Sequence, residues 1–356
     1  MQSPIVLAAA AGLAAVSVFG LAAQNVETQS SATMTTTRRE LPPLFASSEP
    51  LVLTVEVDLP TLVKDKDEQK EDHPATLTYL DDTGATVSTS LKLRTRGNYR
   101  LKHCKFPPIR FDLPKERVDG TVFAGQNKLK LVTHCQSGAD YEQNLLHEHA
   151  AYQIYNLLSD LSLRVRLARI TYRDTSGKEE PITRYAFFIE DVDDLAERAG
   201  MVFTDTLNVH PAHTDFESTG VLDVFQYLIG NTDWSTYARH NIELLRNNDG
   251  VLFAVPYDFD WSGLVDASYA RPNPQLKIRS VRERLYRGFC RPPEYVDRAV
   301  QPFRERREAI YAVFDGVPDL DPKRLKKTRE YLDDFYKTID NPKDLEREFV
   351  KKCRMQ

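Results

Sequence analysis

The sequence predicts a two-lobed α+β protein, with a sheet-rich first lobe over residues 49–190 and a helical second lobe over residues 191–356. In the first part, short segments alternate apolar and polar residues, which is typical of strands with one buried face. From residue 191 onward, apolar residues mostly recur at helical spacing, and one predicted hairpin interrupts them. The 356 residues suffice for one large domain or two lobes.

These patterns set the order of the predicted elements. Strands are expected at residues 51–57, 75–80, 86–94, 107–112, 128–132, 165–172 and 184–189. Helices are expected at residues 140–159, 192–199, 220–229, 281–286, 293–313 and 322–338. Two further strands, 241–245 and 251–255, flank the turn Asn248-Asp249-Gly250, which is a strong hairpin signal.

The N-terminal region has a different composition. Residues 1–23 contain a long run of small apolar residues and are predicted to be a signal peptide, and the Ser/Thr-rich residues 24–48 are predicted to be a disordered linker. No Lys or Arg precedes the apolar run, so an uncleaved membrane anchor is the alternative. Both interpretations export the folded part to the periplasm or the extracellular space, and after cleavage no membrane span is predicted.

Four cysteines accompany this export signal. An even number in an exported chain permits disulfides, and four cysteines allow three pairings. The pairing Cys104–Cys135 is favoured because both residues flank strands expected in one sheet. The net charge of −5 does not favour nucleic acid or an anionic membrane surface as the main partner.

The predicted hairpin gathers polar residues at its open end. Pairing outward from its turn places Asn241 opposite Tyr257, next to Asp258 and Asp260, and the loop before Asn241 brings Asp233 to the same edge. Oxygen ligands of this kind suit Mg²⁺ or Mn²⁺, and phosphoryl transfer needs such metal ligands and a separate carboxylate for the attacking hydroxyl. We therefore expect Asp233 to be a base and Asn241, Asp258 and Asp260 to be metal ligands.

Cations for the phosphates are expected from the first lobe. Glu148 lies in a largely apolar helical stripe, and a buried carboxylate needs a partner, for which Lys130 or Lys128 is nearest in sequence and Lys130 is preferred. Arg96 ends a strand just before Gly97-Asn98, where it can place a cation and a permissive backbone over phosphates.

Together these segments resemble the spore-coat CotH kinase family. The likeness is carried by 94–98, 128–130, the helix with Glu148, Asn231-Thr232-Asp233 with Asn241, and Pro256-Tyr257-Asp258-Phe259-Asp260. It implies an atypical protein kinase-like fold, ATP, a divalent metal ion, and transfer of phosphate to Ser/Thr of a protein substrate. Under the resemblance, Lys130 and Glu148 would be the ATP-clamping pair.

Other functions remain open at this point. The chain is also compatible with a non-catalytic, CotH-like binding or structural protein of the cell envelope, because ATP is scarce outside the cytoplasm. A third possibility is an enzyme that transfers another group, such as AMP, from a nucleotide. A zinc hydrolase is disfavoured because the sequence has no H-E-x-x-H motif, and nothing in it positions paired carboxylates around a sugar cleft.

Overall fold

The computed structural model describes residues 41–67 and 69–355, and in this part of the chain seven strands close into a barrel in the order β1-β2-β3-β4-β5-β7-β6. Neighbouring strands are antiparallel except β1 and β6, whose parallel pairing closes the barrel. The barrel strands are β1 (Leu51–Val57), β2 (His73–Leu80), β3 (Thr86–Thr95), β4 (Ile109–Asp112), β5 (Lys128–Val132), β6 (Val165–Asp174) and β7 (Ile182–Ile189). The predicted signal peptide and residues 24–40 of the predicted linker lie outside the described residues.

The closed barrel shows that the predicted two-lobed, atypical kinase-like fold is wrong. Leu53 pairs with Tyr79 of β2 on one side and with Ile170 of β6 on the other. Strand β1 therefore has neighbours on both sides, and the mixed sheet has no free edge. The alternation of apolar residues reports which face of a strand is buried, but it contains no information about which distant strand lies beside it.

The barrel interior is filled by the inward-facing residues of these strands. The buried side chains include Leu53, Val55, Leu77, Leu93, Phe111, Leu131, Ile170 and Phe188. Each side chain of this size contributes about 1.5–3 kcal/mol on burial. Lys128 and Lys130 alternate with Leu129 and Leu131 on β5, so both lysines face outward.

The end of the predicted disordered linker is packed against the barrel. Pro43–Phe45 forms a turn of 3₁₀ helix, and both Leu44 and Phe45 are buried in the barrel core. The guanidinium of Arg166 donates hydrogen bonds to the carbonyl oxygens of Leu44 (3.3 Å) and Ser47 (2.7 Å). Residues 41–48 are thus part of the fold.

Three short helices accompany the barrel strands: α1 (Leu59–Lys64), α2 (Tyr99–His103) and α3 (Lys115–Val118). The later helices build a second core against β6 and β7. They are α4 (Ala139–Leu158), α5 (Val192–Arg198), α6 (Phe216–Ile229), α7 (Pro293–Glu305), α8 (Arg307–Asp315), α9 (Pro322–Asp340) and α10 (Pro342–Leu345). Helix α4 packs against β6, β7, α6 and α8, so it joins the two cores. The described residues form one compact unit, and the predicted lobe boundary between residues 190 and 191 stays a prediction.

Two helix predictions in the second part differ from the structure. Residues 281–286 are not helical, and Arg284 within them is used instead to bond backbone carbonyls. The expected helix at 293–313 is divided into α7 and α8 at Arg306, whose φ and ψ of −104° and 14° break the helical path.

The predicted hairpin is confirmed. Strands β9 (Ile242–Arg246) and β10 (Leu252–Pro256) pair with Ile242 opposite Pro256, and β8 (Val202–Thr204) adds a third strand beside β9. Beyond the last pair, the N–H of Tyr257 donates to the carbonyl oxygen of Asn241 at 3.1 Å. The register predicted from the turn therefore extends to the residues expected to carry the chemistry.

Two disulfides use all four cysteines. The predicted Cys104–Cys135 bond is confirmed, and the second joins Cys290 to Cys353. Disulfides are typical of oxidising compartments, so the pair is consistent with an exported protein. Among the helices of the described residues, none has the length and apolar content needed to cross a membrane.

Candidate active site

A cleft of about 580 Å³ lies between the rim of the barrel, helix α4 and the open end of the β9–β10 hairpin. Most of the predicted site residues line this cleft: Arg96, Glu148, Asp233, Asn241, Asp258 and Asp260. Lys130 does not line it. The structure therefore brings most of the predicted residues together. Lys130, the predicted cation, is the exception.

The loop that carries Asp233 begins at a helix end of defined geometry. Helix α6 stops at Gly230, which has a left-handed φ of 65°. The neighbouring loop is bonded to it, because the N–H of Gly263 donates to the carbonyl oxygen of Gly230 at 3.2 Å. A Cβ atom on Gly230 would lie 2.0 Å from the hydroxyl oxygen of Tyr331, so both the conformation and the space require glycine.

Replacing Gly230 by alanine is expected to destabilise the protein strongly. The left-handed backbone alone costs about 1–3 kcal/mol for a residue with a side chain, and the contact with Tyr331 adds to this cost. Gly84→Ala is the matched control, because Gly84 also has a positive φ (81°) but no neighbouring atom within 4 Å of the place that a Cβ would occupy. Urea unfolding of both variants separates the two effects, and equal losses would contradict the steric argument.

Two arginines from the irregular segment after residue 280 bond the end of α6 and the loop that follows it. Arg284 donates to the carbonyl oxygens of Tyr227 and Leu228, each at 3.1 Å, at the C-terminal end of α6. Arg287 donates to the carbonyl oxygens of Thr232 and, at 2.8 Å, Trp234, on either side of Asp233. The backbone around Asp233 is therefore fixed by a segment whose first part was expected to be helical.

Asp233 is held by two neighbours from the end of its own loop. The Nδ2 group of Asn241 donates to its carboxylate at 3.2 Å and to its backbone oxygen at 2.8 Å. The Nε2 atom of His240 lies 2.9 Å from the other carboxylate oxygen. His240 was not among the residues predicted from the sequence, although its position directly before Asn241 was a signal that it shares the site.

Asn241 and Asp258 both have left-handed backbones, with φ of 54° and 60°. Strand β10 ends at Pro256, so the chain turns at Asp258 and does not continue as a strand to Asp260. The N–H of Asp258 donates to the hydroxyl oxygen of Tyr152 on α4 at 2.8 Å. Non-glycine residues rarely adopt this conformation, and it persists only where the surrounding structure holds it, so the pair marks a constrained region.

The partner of Glu148 is Arg100, which was not predicted from the sequence. Arg100 lies 2.5 Å from Glu148 and 2.9 Å from Asp260, and the hydroxyl of Tyr269 donates to Asp260 at 3.0 Å. The predicted contact between Lys130 and Glu148 is wrong, because Lys130 pairs instead with Asp191 at 3.1 Å.

The barrel explains this exchange of partners. Lys130 faces outward on β5 and meets Asp191, the residue that caps the start of α5. Helix α2 follows β3, which forms the rim of the cleft, and it brings Arg100 against α4, where Glu148 is buried. Lys130 is closer to Glu148 in the sequence than Arg100 is, so closeness in the sequence led to the wrong partner.

Negative charge exceeds positive charge in the cleft. Four carboxyl groups, on Glu148, Asp233, Asp258 and Asp260, share it with three arginines, Arg96, Arg100 and Arg239. Arg239 is paired with Glu243, which does not line the cleft. Burial raises the pKa of Glu148 to about 8 and that of Asp258 to about 6, and the nearby charge of Asp260 acts in the same direction on both. The site therefore holds protons or a cation more readily than isolated carboxylates do.

Arg96 is the cation left available for a ligand. Burial lowers its pKa and the charge of Asp258 opposes this effect, but no acidic side chain of the described residues forms an ion pair with it. Its backbone is fixed, because its N–H donates to the carbonyl oxygen of Pro108 at 2.9 Å. An arginine without an acidic partner at the rim of a cleft is suited to bind an anion.

The protein without bound metal is expected to lose stability as the pH rises from about 5 to 8. Burial holds a proton on Asp258 up to about pH 6 and on Glu148 up to about pH 8, whereas unfolded carboxyls release theirs at about pH 4. The folded state binds more protons in this window, so the free energy of unfolding falls by at most about 1.4 kcal/mol per pH unit for each group.

Urea unfolding at several pH values checks this prediction. In Glu148→Gln, the fall between about pH 6 and 8 is expected to become smaller, because the group that titrates there is gone. A free energy of unfolding that rises over the same range in the unmodified protein would contradict the prediction.

The donor set fits a hard cation that takes its other ligands from substrate and water. Among the described residues, no group of three or more His, Cys, Asp or Glu side chains is placed to hold a metal ion. Asn241 uses its Nδ2 toward Asp233, which leaves its Oδ1 unused. No described side chain donates a hydrogen bond to the carboxylate of Asp258. The side chains of Asn241 and Asp258 thus both offer free oxygen atoms to the cleft.

Comparison with known proteins assigns no family to the chain. Neither the protein-family models nor the curated proteins contain a match to it.

Proposed function

We propose that the protein is an exported phosphotransferase, which uses ATP and Mg²⁺ or Mn²⁺ to phosphorylate Ser or Thr hydroxyls of a protein. The observation that carries the proposal is the cleft that Asp233, Asn241 and Asp258 line together with the unpaired Arg96. Phosphoryl transfer depends mainly on positioning and on charge stabilisation, and these residue types supply both. The proposal does not depend on a kinase-like fold, because function belongs to the site.

Asn241 and Asp258 are the residues that would hold the metal ion. Mg²⁺ in phosphotransferases is usually bound through one or two carboxylates together with substrate phosphates and water, so two protein ligands are sufficient. When bound, the ion neutralises charge on the phosphates. Asp260 stays a predicted second ligand, but its contacts with Arg100 and Tyr269 support a role in positioning.

Arg96 would bind the phosphates in the same cleft. Its guanidinium can form paired hydrogen bonds with phosphate oxygens. Arg100 is already bound by the carboxyl groups of Glu148 and Asp260, so it serves to fix α2 against α4 and not to bind the nucleotide. Glu148 therefore acts through Arg100, and Lys130, which lies outside the cleft, has no part in the proposed mechanism.

Asp233 would serve as the base. Its carboxylate accepts the proton of the acceptor hydroxyl while that oxygen attacks the γ-phosphorus of ATP. The bond from the γ-phosphorus to the oxygen shared with the β-phosphate breaks, and ADP leaves with the bonding electrons. Asn241 and His240 hold the carboxylate in place during this step.

Two measurements on the purified protein test the proposal. ATP and Mg²⁺ or Mn²⁺ together are expected to raise the melting temperature, because a ligand that binds only the folded state stabilises it. Label from γ-labelled ATP is expected to enter the protein or a Ser-rich acceptor, and label from α-labelled ATP is not. Incorporation of the α-label would show transfer of AMP instead. No thermal shift and no incorporation would support a non-catalytic binding protein.

A further inference from the structure

A second pocket lies beside the cleft, and Asp233 belongs to both. It encloses about 640 Å³ and shares Asp233, His240 and Trp261 with the cleft. We call it the acceptor pocket. Its lining residues include Thr232, Asp233, Trp234, Trp261, Arg271 and Arg287. A molecule bound in the acceptor pocket would touch the proposed base.

The acceptor pocket is positively charged in a chain whose net charge is −5. Arg271 and Arg287 line it, and Asp233 is the one acidic residue among its lining residues. Arg271 uses its Nη1 for the carbonyl oxygens of Ser268 (2.8 Å) and Ala270 (2.7 Å), and Arg287 uses its Nη1 for backbone carbonyls. Neither forms an ion pair with any residue that the structure describes. The rest of each guanidinium is available to an anion.

A further arginine, Arg354, lies near Arg287 and adds a positive charge to its surroundings. Burial lowers the pKa of Arg287, and the nearby charge of Arg354 lowers it further. Asp233 acts in the opposite direction, but it is also the proposed base. An anionic group placed between Arg271 and Arg287 would therefore relieve an imbalance that the described residues leave in place.

Other parts of the pocket wall are apolar. Both tryptophans of the chain, Trp234 and Trp261, line the acceptor pocket, together with Pro272 and Pro274. Flat apolar surfaces beside guanidinium groups suit a chain segment that carries both acidic and apolar side chains. A carbohydrate would also stack on the tryptophans, but an uncharged sugar would leave both arginines without a counter-ion.

We propose that the acceptor pocket binds an acidic peptide segment, in which a Ser or Thr hydroxyl lies next to Asp or Glu side chains. Carboxylates form paired hydrogen bonds with arginine, and arginine clusters are a common means of recognising acidic motifs. The hydroxyl then reaches Asp233 while the neighbouring carboxylates meet Arg271 and Arg287. The role of the peptide as phosphate acceptor rests on the proposed function, but its binding does not.

Tryptophan fluorescence tests the binding directly, because both tryptophans of the chain line the pocket. The full exported chain is titrated, without nucleotide, with a Ser-containing peptide rich in Asp and Glu and with the same peptide carrying Asn and Gln. The acidic peptide is expected to bind at least about tenfold more tightly than the neutral one, because one charge-assisted hydrogen-bonded pair contributes about this factor to the affinity. Arg271→Glu removes this preference. Lys277→Glu makes the same change on an exposed residue of the same loop that does not line the pocket, and it retains the preference.

The possible results separate this inference from the proposed function. Equal binding of the two peptides, or binding of an uncharged oligosaccharide in place of the acidic peptide, would overturn the inference even if ATP binds. Preferential binding of the acidic peptide without transfer of label from γ-labelled ATP would retain the binding site and overturn the phosphotransferase. Label transfer to the acidic peptide that is lost in Arg271→Glu, with ATP binding unchanged, would support both.

Discussion

Replacing Asp258 by asparagine is expected to lower kcat/KM for phosphoryl transfer by about 100-fold or more, the usual cost of removing one group that stabilises transition-state charge. The substitution removes a negative charge and little else. Asparagine tolerates the left-handed φ of 60° at this position. The backbone N–H that donates to Tyr152 also remains. The fold should therefore persist while the proposed metal site loses its charged ligand.

The dependence of the rate on metal concentration distinguishes this effect from a general loss of activity. In Asp258→Asn, half-maximal activity is expected to require at least about tenfold more Mg²⁺ or Mn²⁺, because a neutral amide oxygen is a weaker ligand for a hard cation. Asp249→Asn is the control, since Asp249 is an exposed residue in the turn of the same hairpin. An unchanged metal dependence in Asp258→Asn would refute the assignment of Asp258 as a metal ligand.

The parts of the site that could be predicted are those that local sequence determines. The turn Asn248-Asp249-Gly250 sets the register of β9 and β10, and the register places Asn241 beside Tyr257. Asp258 follows directly, so its position needs no knowledge of the rest of the chain. The favoured disulfide, Cys104–Cys135, was predicted in the same way, because its two cysteines flank strands of one sheet.

The parts that could not be predicted depend on contacts between distant segments. The parallel pairing of β1 with β6 closes the barrel and overturns the kinase-like fold, yet the alternation within either strand would be the same in an open sheet. The partner of Glu148 also depends on a contact between distant segments, because α2 brings Arg100 to Glu148 on helix α4. Lys130 and Arg100 are equivalent by charge, so only the three-dimensional structure distinguishes them.

The same reasoning explains why His240 was missed. A histidine in a loop has many possible roles, and its position before Asn241 did not show that its ring reaches Asp233. Left-handed backbones at Asn241 and Asp258 were also invisible in the sequence, although Asn and Asp are the residue types that adopt them most readily. The chemical types of the site could thus be predicted, and their individual partners could not.

Replacing Asp233 by asparagine is expected to lower kcat by about 10²–10⁴-fold, the usual contribution of a positioned general base. The affinity of this variant for ATP and metal should change little, because Asn241 and Asp258 would hold the metal and Arg96 would bind the phosphates. Single-turnover transfer of γ-label, combined with nucleotide-dependent thermal shifts, separates the two quantities. Asp249→Asn again serves as the control, since it makes the same change at an exposed position.

His240 gives this prediction a second, independent test. Its ring contacts the carboxylate of Asp233, the proposed base. If it only holds this carboxylate in place, His240→Gln should lower kcat by less than Asp233→Asn, because glutamine can still donate a hydrogen bond to Asp233. If His240→Gln lowers kcat as much as Asp233→Asn does, the imidazole of His240 takes the proton of the attacking hydroxyl, and Asp233 orients the imidazole. A kcat that is unaffected by Asp233→Asn would exclude Asp233 from the chemical step, because an amide cannot accept the proton of the attacking hydroxyl as a carboxylate does.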